Sequence, residues 1–403
     1  MASHNHINYQ ARLDYVQQLL EVHLGLSSEE AKWTEITPIQ YEPDFPFKYN
    51  NFVYRLSLPA DPPSSGSRDD CKECGLRQEP GCVPIPAGMR EFILLLSNPD
   101  AEGMHQATRV QNEVAILTLA SAALHLIEPN IVPRVFGWGG AGRGKQLGWI
   151  LQERMPDNSG AIISAPMASV GSGPWPSLQD SYLGRLNVAL AKADKNPHLG
   201  GWHANGVRER IEAFLERGLP AQFSDLMSKQ DRVIAHADFT SDNLLYDPAT
   251  GRITALLDYD FSSIQHPAYE FFRSFAGNGG QLTGWSGDAT PEEKEAAALR
   301  GAKLTGRFPS PLPDPVPSAN GPGVDWELAK AWEDELQRLD VKRPSTIQGI
   351  DKLADVDEVL GSLLPWRLTN EDFLRMNQDE GQRKALRDMG ESQLVGLLSH
   401  MGF

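Results

Sequence analysis

What this sequence lacks narrows its function before any motif is read. Its 37 lysines and arginines are outnumbered by 53 aspartates and glutamates, and nowhere do the cations form a run. A chain of this charge repels nucleic acid and anionic membrane unless a basic patch is segregated, so neither is expected as a partner. No apolar stretch approaches the roughly 20 residues of a membrane helix. The polar start Met-Ala-Ser-His-Asn-His-Ile carries no basic segment followed by an apolar one, and a cytoplasmic location is expected. Cysteine is scarce too. The three present, Cys71, Cys74 and Cys82, fall in one short segment. Cys71-Lys-Glu-Cys74 has the spacing of a zinc knuckle, and His105 offers a further ligand, but a second paired ligand motif is missing. A reduced exposed loop is expected over a metal site.

What remains is a globular composition, 40% hydrophobic and 22% charged, in 403 residues, long enough for two lobes with separate cores. Leu13, Val16, Leu19, Leu20 and Leu24 recur at helical spacing and predict a helix over 9–25. The alternation in residues 50–58 predicts a strand, and Phe92-Ile-Leu-Leu-Leu96 a second, with a Pro/Gly/Ser/Cys-rich insertion over about 59–88 between them. A long helix follows over 109–126, then short strands at 131–136 and 148–152. Helical patterns near 181–194, 206–217, 326–339 and 354–364 dominate the remainder. Between Asn278 and Gly323 the chain reads as an ordered surface excursion, because five prolines in residues 308–317 preclude helix and central strand there.

The chemistry-bearing residues cluster in His236-Ala-Asp238-Phe-Thr-Ser-Asp242-Asn243 and Leu257-Asp258-Tyr-Asp260. Apolar segments after Asn243 and before Asp258, joined by the turn Asp247-Pro-Ala-Thr-Gly251, predict a β-hairpin that gathers hard oxygen ligands. Magnesium keeps several waters, so one carboxylate and one side-chain amide suffice to hold it beside phosphate. A separate carboxylate can orient an acceptor hydroxyl and take its proton. By this logic Asp238 is the base, and Asn243 and Asp258 are the metal ligands. Asp242 and Asp260 either extend the metal shell or are solvated carboxylates. His236 is expected to brace the loop rather than to transfer protons.

These segments resemble the catalytic and metal motifs of aminoglycoside phosphotransferases and their choline-kinase and hydroxytryptamine-kinase relatives, which read His-Gly-Asp where this chain has Ala237. Phe47-Lys-Tyr-Asn-Asn-Phe-Val-Tyr-Arg55, Gly201-Trp-His-Ala-Asn-Gly-Val-Arg208, His266-Pro-Ala-Tyr-Glu-Phe-Phe272 and Arg343-Pro-Ser-Thr-Ile-Gln-Gly-Ile-Asp351 are similar to segments of a fungal branch of that superfamily. The resemblance implies an α+β, protein-kinase-like bilobal fold. Residues 1–155 would form a small mixed β-sheet lobe with one long helix that binds nucleotide, and residues 156–403 a larger, mainly helical lobe for catalysis and substrate. It further implies ATP and Mg2+ as cofactors, a small-molecule alcohol as acceptor, and a monomer or weak homodimer.

On the nucleotide side, Glu113 would pair with a strand cation near Leu95, and Gln152 and Arg154 would lie at the segment joining the lobes. Phe92 to Ser97 contains no cation. Arg55 on the preceding strand is the expected substitute. The alternative is a kinase-fold binding protein or pseudoenzyme that has lost phosphoryl transfer. Trp175, Trp202, Tyr269, Phe272 and Trp285 are candidate walls for the acceptor, each weighed against a place in the core.

Overall fold

The computed structural model describes residues 5–39, 47–62, 79–101, 104–125, 130–141, 147–154, 175–276, 279–317, 321–377 and 379–403. Cys71 and Cys74 lie outside these. Cys82 is half-buried, and burial together with the charge of Glu79 pushes its thiol up to about 11. Among the described residues no group of three or more His, Cys, Asp or Glu side chains is placed to hold a metal, and no helix is long and apolar enough to cross a membrane.

By contact the chain divides into two compact units, Met1–Gly171 with Asp242–Ser263, and Ser172–Ser241 with Ile264–Phe403. Asp242–Ser263 thus groups with the first unit. Within it, Asp260 is tied by a buried ion pair to Arg109 of the long helix.

The first unit is built on a five-stranded sheet in the order β1-β2-β3-β5-β4, with every pairing antiparallel. The strands are β1 (Glu35–Pro38), β2 (Asn51–Ser57), β3 (Glu91–Ser97), β4 (Val135–Gly139) and β5 (Trp149–Glu153). Alternation along β2 gives the sheet two distinct faces. Phe52, Tyr54 and Leu56 are buried with Val16, Leu19 and Leu20 of α1 (Tyr9–His23). The Arg12 guanidinium lies 3.8 Å from the Phe52 ring centre and donates to the Tyr54 hydroxyl, so a charged residue also belongs to this core. Val53 and Arg55 take the opposite face with Ile93 and Leu95. Following the short α2 (Ser28–Trp33), α3 (Arg109–Ala123) buries Val110, Val114, Leu117 and Ala120, and also Arg109 and Glu113, one helical turn apart. The expected strand at 131–136 begins later, at Val135.

The last part of this unit is a hairpin of β7 (Leu244–Asp247) and β8 (Arg252–Leu256). Its turn follows from composition: the Asp247 carboxylate accepts from the Ala249 amide at 2.9 Å and the Thr250 hydroxyl at 2.6 Å, and Gly251 takes φ 67°.

The second unit is mainly helical. Its core draws Leu186 and Leu190 from α4 (Leu178–Lys195), Ile211 from α5 (Val207–Ala213) and Leu219 from α6 (Leu219–Gln222). Strand β6 (Val233–Ala235) leads into the His236 segment, and α7 (Ala268–Arg273) contributes Phe271 and Phe272 to the core. The expected excursion between 278 and 323 contains a helix, α8 (Pro291–Thr305). Thr290 and Glu293 form its capping box, and Pro291 occupies the first helical position. The sequence Thr290-Pro-Glu-Glu293 carries that signature, a capping residue, proline at the first helical position and glutamate at the third. Helices α9 (Trp326–Arg338), α10 (Ile350–Leu363), α11 (Trp366–Thr369), α12 (Glu371–Asn377) and α13 (Glu380–His400) complete the unit. Trp202 is fully buried, its indole N–H donating to the Leu363 carbonyl at 3.0 Å. Trp202 and Phe272 are thus core residues and not walls of an acceptor site. Tyr269 is also buried, and Trp285 stacks on His400.

Candidate active site

The hairpin brings together two oxygen donors that sequence separates by fifteen positions. The Leu257 amide donates to the Asn243 carbonyl at 2.7 Å, so Asn243 and Asp258 emerge side by side at the open end. Asp258 holds φ 51°, a left-handed conformation that aspartate tolerates better than most residues, and its carboxylate accepts the Asp260 amide at 3.3 Å. The resulting turn directs Asp260 to Arg109. Their ion pair is 2.8 Å long, with side-chain exposures of 2% and 5%, and Arg109 also donates to the Asn50 carbonyl. Removing either member of so buried a pair leaves an uncompensated charge, at a cost of about 3–5 kcal/mol.

Asn243 and Asp258 line a cavity of about 680 Å3 together with Asp242, Asp260, Glu113, Arg55 and Arg154. Five of the expected residues therefore share one space: Arg55, Glu113, Arg154, Asn243 and Asp258. Gln152 does not line it. This residue is fully buried in β5, opposite Ile93 and Val135, and neither atom of its carboxamide has a hydrogen-bond partner among the described residues.

The expected environment of Glu113 is altered. No cation reaches it from β3, whose cavity-lining residues are Ile93 and Leu95. Burial, reinforced by the charges of Asp260 and Asp258 and opposed by Arg109, raises its carboxyl well above the usual range. The nearby cation comes from its own helix. Arg109, absent from the sequence-based expectation, had no distinguishing signal there beyond lying one turn before Glu113. Arg55 instead donates through Nε to Glu91 at 2.7 Å, and Arg154 donates to the same carboxylate oxygen at 2.9 Å.

Asp238 belongs to the second unit, where the backbone around it is fastened to α7. The amides of His236 and Ala237 donate to the two carboxylate oxygens of Glu270, at 2.6 and 2.9 Å. The Phe239 amide donates to the Ser274 hydroxyl at 2.9 Å, which in turn donates to Glu270, and the Phe275 amide donates to the Phe239 carbonyl at 2.7 Å. Backbone groups on both sides of Asp238 are thereby held by one short helix and its exit. Burial raises the Glu270 carboxyl, against hydrogen bonds that favour its ionised form. His236 is buried, its ring edge-on to Phe239, in keeping with a bracing role. Sequence inspection missed Glu270 and Ser274 because they lie more than thirty residues from the segment they hold.

Residues 86–304 match the phosphotransferase enzyme family, a span that takes in β3, α3, Asp238, Asn243 and Asp258. The chain belongs to that family. No curated protein matches the sequence of this phosphotransferase. Among solved structures it is similar to an ethanolamine kinase of Plasmodium vivax, at 12% identity and TM-score 0.39, covering 94% of this chain and 89% of that one. It is also similar to a thermostable mutant of aminoglycoside phosphotransferase APH(4)-Ia in ternary complex with ADP and hygromycin B, at 12% identity, TM-score 0.38 and coverages of 96% and 98%. A third is the streptomycin-ATP-APH(2")-IIa ternary complex, at 10% identity, TM-score 0.43 and coverages of 95% and 97%.

The phosphotransferase presents a donor set suited to magnesium: one carboxylate and one carboxamide at the open end of a hairpin. Hard oxygen donors, few in number, are what that ion takes when phosphate supplies the rest.

Proposed function

We propose that this phosphotransferase moves the terminal phosphoryl group of a magnesium-bound nucleoside triphosphate to a hydroxyl of a small metabolite or natural product. ATP is the donor implied by the sequence resemblance. The carrying observation is the pairing of Asn243 and Asp258 by the Leu257 amide, at the edge of a cavity of about 680 Å3 within the usual range for small ligands. Asn243 and Asp258 would hold the metal, which when bound neutralises phosphate charge. Asp238, five residues ahead of Asn243 in the chain, is the base: it accepts a hydrogen bond from the acceptor hydroxyl and then its proton. Glu270 keeps that carboxylate oriented by anchoring the two preceding amides.

A second reading, a nucleotide-binding protein without transfer, is favoured by one observation. The cavity face of β3 carries Ile93 and Leu95 in place of a cation. Incubation with magnesium, nucleoside triphosphate and a panel of small alcohols separates the two readings. Phosphorylated product is expected from the native protein, with Asp238→Asn slower by about 10²- to 10⁴-fold. Turnover that survives Asp238→Asn would refute the assignment of the base. A complete lack of turnover with retained nucleotide binding would favour the second reading.

A further inference from the structure

The cavity has a second charged end that phosphoryl transfer does not use. Arg55, Ile93 and Gln152 are direct cross-strand partners on β2, β3 and β5, so their side chains share one face of the sheet. Arg55 lies four residues along β2 from Asn51, about 13 Å at roughly 3.3 Å per residue. Next to Asn51, the Asn50 carbonyl is fastened through Arg109 to Asp260. The cavity therefore runs from a carboxylate and carboxamide end to an arginine end.

At the arginine end, Arg55 and Arg154 share a single oxygen of Glu91. Sharing one carboxylate engages a single N–H of each guanidinium group, and Glu35 adds a further negative charge near Arg55. This leaves most of their N–H donors uncommitted among the described residues. Exposed ion pairs of this kind contribute little, so a ligand can compete for these donors. Gln152 follows on the same row, its carboxamide buried and without a hydrogen-bond partner among the described residues.

With phosphate held at the metal end, the base of a bound nucleotide falls at the arginine end. A guanidinium group can only donate. Adenine presents an amino group at C6, another donor, beside N7. Guanine presents O6 and N7, two acceptors matched to the guanidinium fork. We propose that this end of the cavity reads a 6-oxopurine, so that a guanine nucleotide is preferred to ATP as phosphoryl donor. The proposal rests on the nucleotide reading of the cavity given above.

Equilibrium binding of Mg·GDP, Mg·IDP and Mg·ADP to the full chain tests it. Inosine keeps O6 and N7 but lacks the 2-amino group. GDP and IDP are expected to bind more tightly than ADP, on the order of tenfold. Arg55→Met and Arg154→Met are each expected to weaken GDP binding more than ADP binding, so that the GDP-over-ADP preference collapses, with melting temperature confirming the fold. Three outcomes overturn the 6-oxopurine assignment while preserving the nucleotide site: ADP binding as tightly as GDP, GDP preferred but IDP not, or a GDP preference that persists in both variants. Failure of all three diphosphates to bind at millimolar concentration removes the nucleotide site and this proposal together.

Discussion

Substituting Leu95→Lys returns a cation to the face of β3 that lines the cavity, and the surrounding geometry sets what it should do. Leu95 is half-buried between Val53 and Ile150 on the neighbouring strands, and Glu113 lines the same cavity at 4% exposure. The Glu113 carboxyl is raised by burial and by Asp260 and Asp258, with only Arg109 opposing them. An ammonium group within reach would draw it back toward ionisation, at about 1.4 kcal/mol for each pKa unit recovered. On the ligand, a fixed donor aimed at developing charge accelerates reaction by about 10²- to 10³-fold. The expectation is a rise of that order in turnover of nucleoside triphosphate, measured as acceptor-independent hydrolysis with ATP and GTP supplied separately. Because the new ammonium is oriented through Glu113, the gain should shrink in a Glu113→Gln background, with a coupling energy of about 0.5–3 kcal/mol in the double-mutant cycle. If Leu95→Lys melts like the native protein and neither binds nucleotide more tightly nor turns it over faster, the missing strand cation does not limit this enzyme. Equal gains in the native and Glu113→Gln backgrounds would refute the role assigned to the glutamate.

Two further predictions concern the scaffold. Ala237 holds φ 63°, a left-handed conformation that costs an L-residue roughly 1 kcal/mol, so Ala237→Gly is expected to stabilise the protein by about 0.5–1 kcal/mol in urea denaturation; a loss of stability would show that methyl packing outweighs the backbone strain. Burial pushes His266 from its usual value of 6.5 down to about 4, while its ring accepts from the Ala268 amide and pairs with the Ser228 hydroxyl. The unfolded chain takes up that proton first, so this contribution is intact above about pH 6.5 and is lost as pH falls toward 4. The melting temperature of the native protein should therefore decline more steeply over that interval than that of His266→Gln, and parallel curves would exclude His266 as the source.

The local chemistry was legible in sequence because it depends on short spacings. Asn243 and Asp258 flank two apolar segments and an Asp-Pro-Ala-Thr-Gly turn, and such a pattern closes a hairpin whatever surrounds it. Alternation in β2 likewise announced a strand with one face for the core and one for other use. Missing charge was as visible as any motif: Phe92 to Ser97 has no cation, and no fold can supply one there. Tertiary structure decided which distant residues complete the site. Arg109 bonds Asp260 across 151 positions, and Glu270 reaches back 34 to the His236 amide. Contacts of that separation leave no periodicity to read. Nor could composition reveal that Glu113 would be buried beside two carboxylates, or that Arg55 and Arg154 would share Glu91. Pairing register on a twisted sheet determines those placements, because only the folded strands set which side chains stand opposite one another.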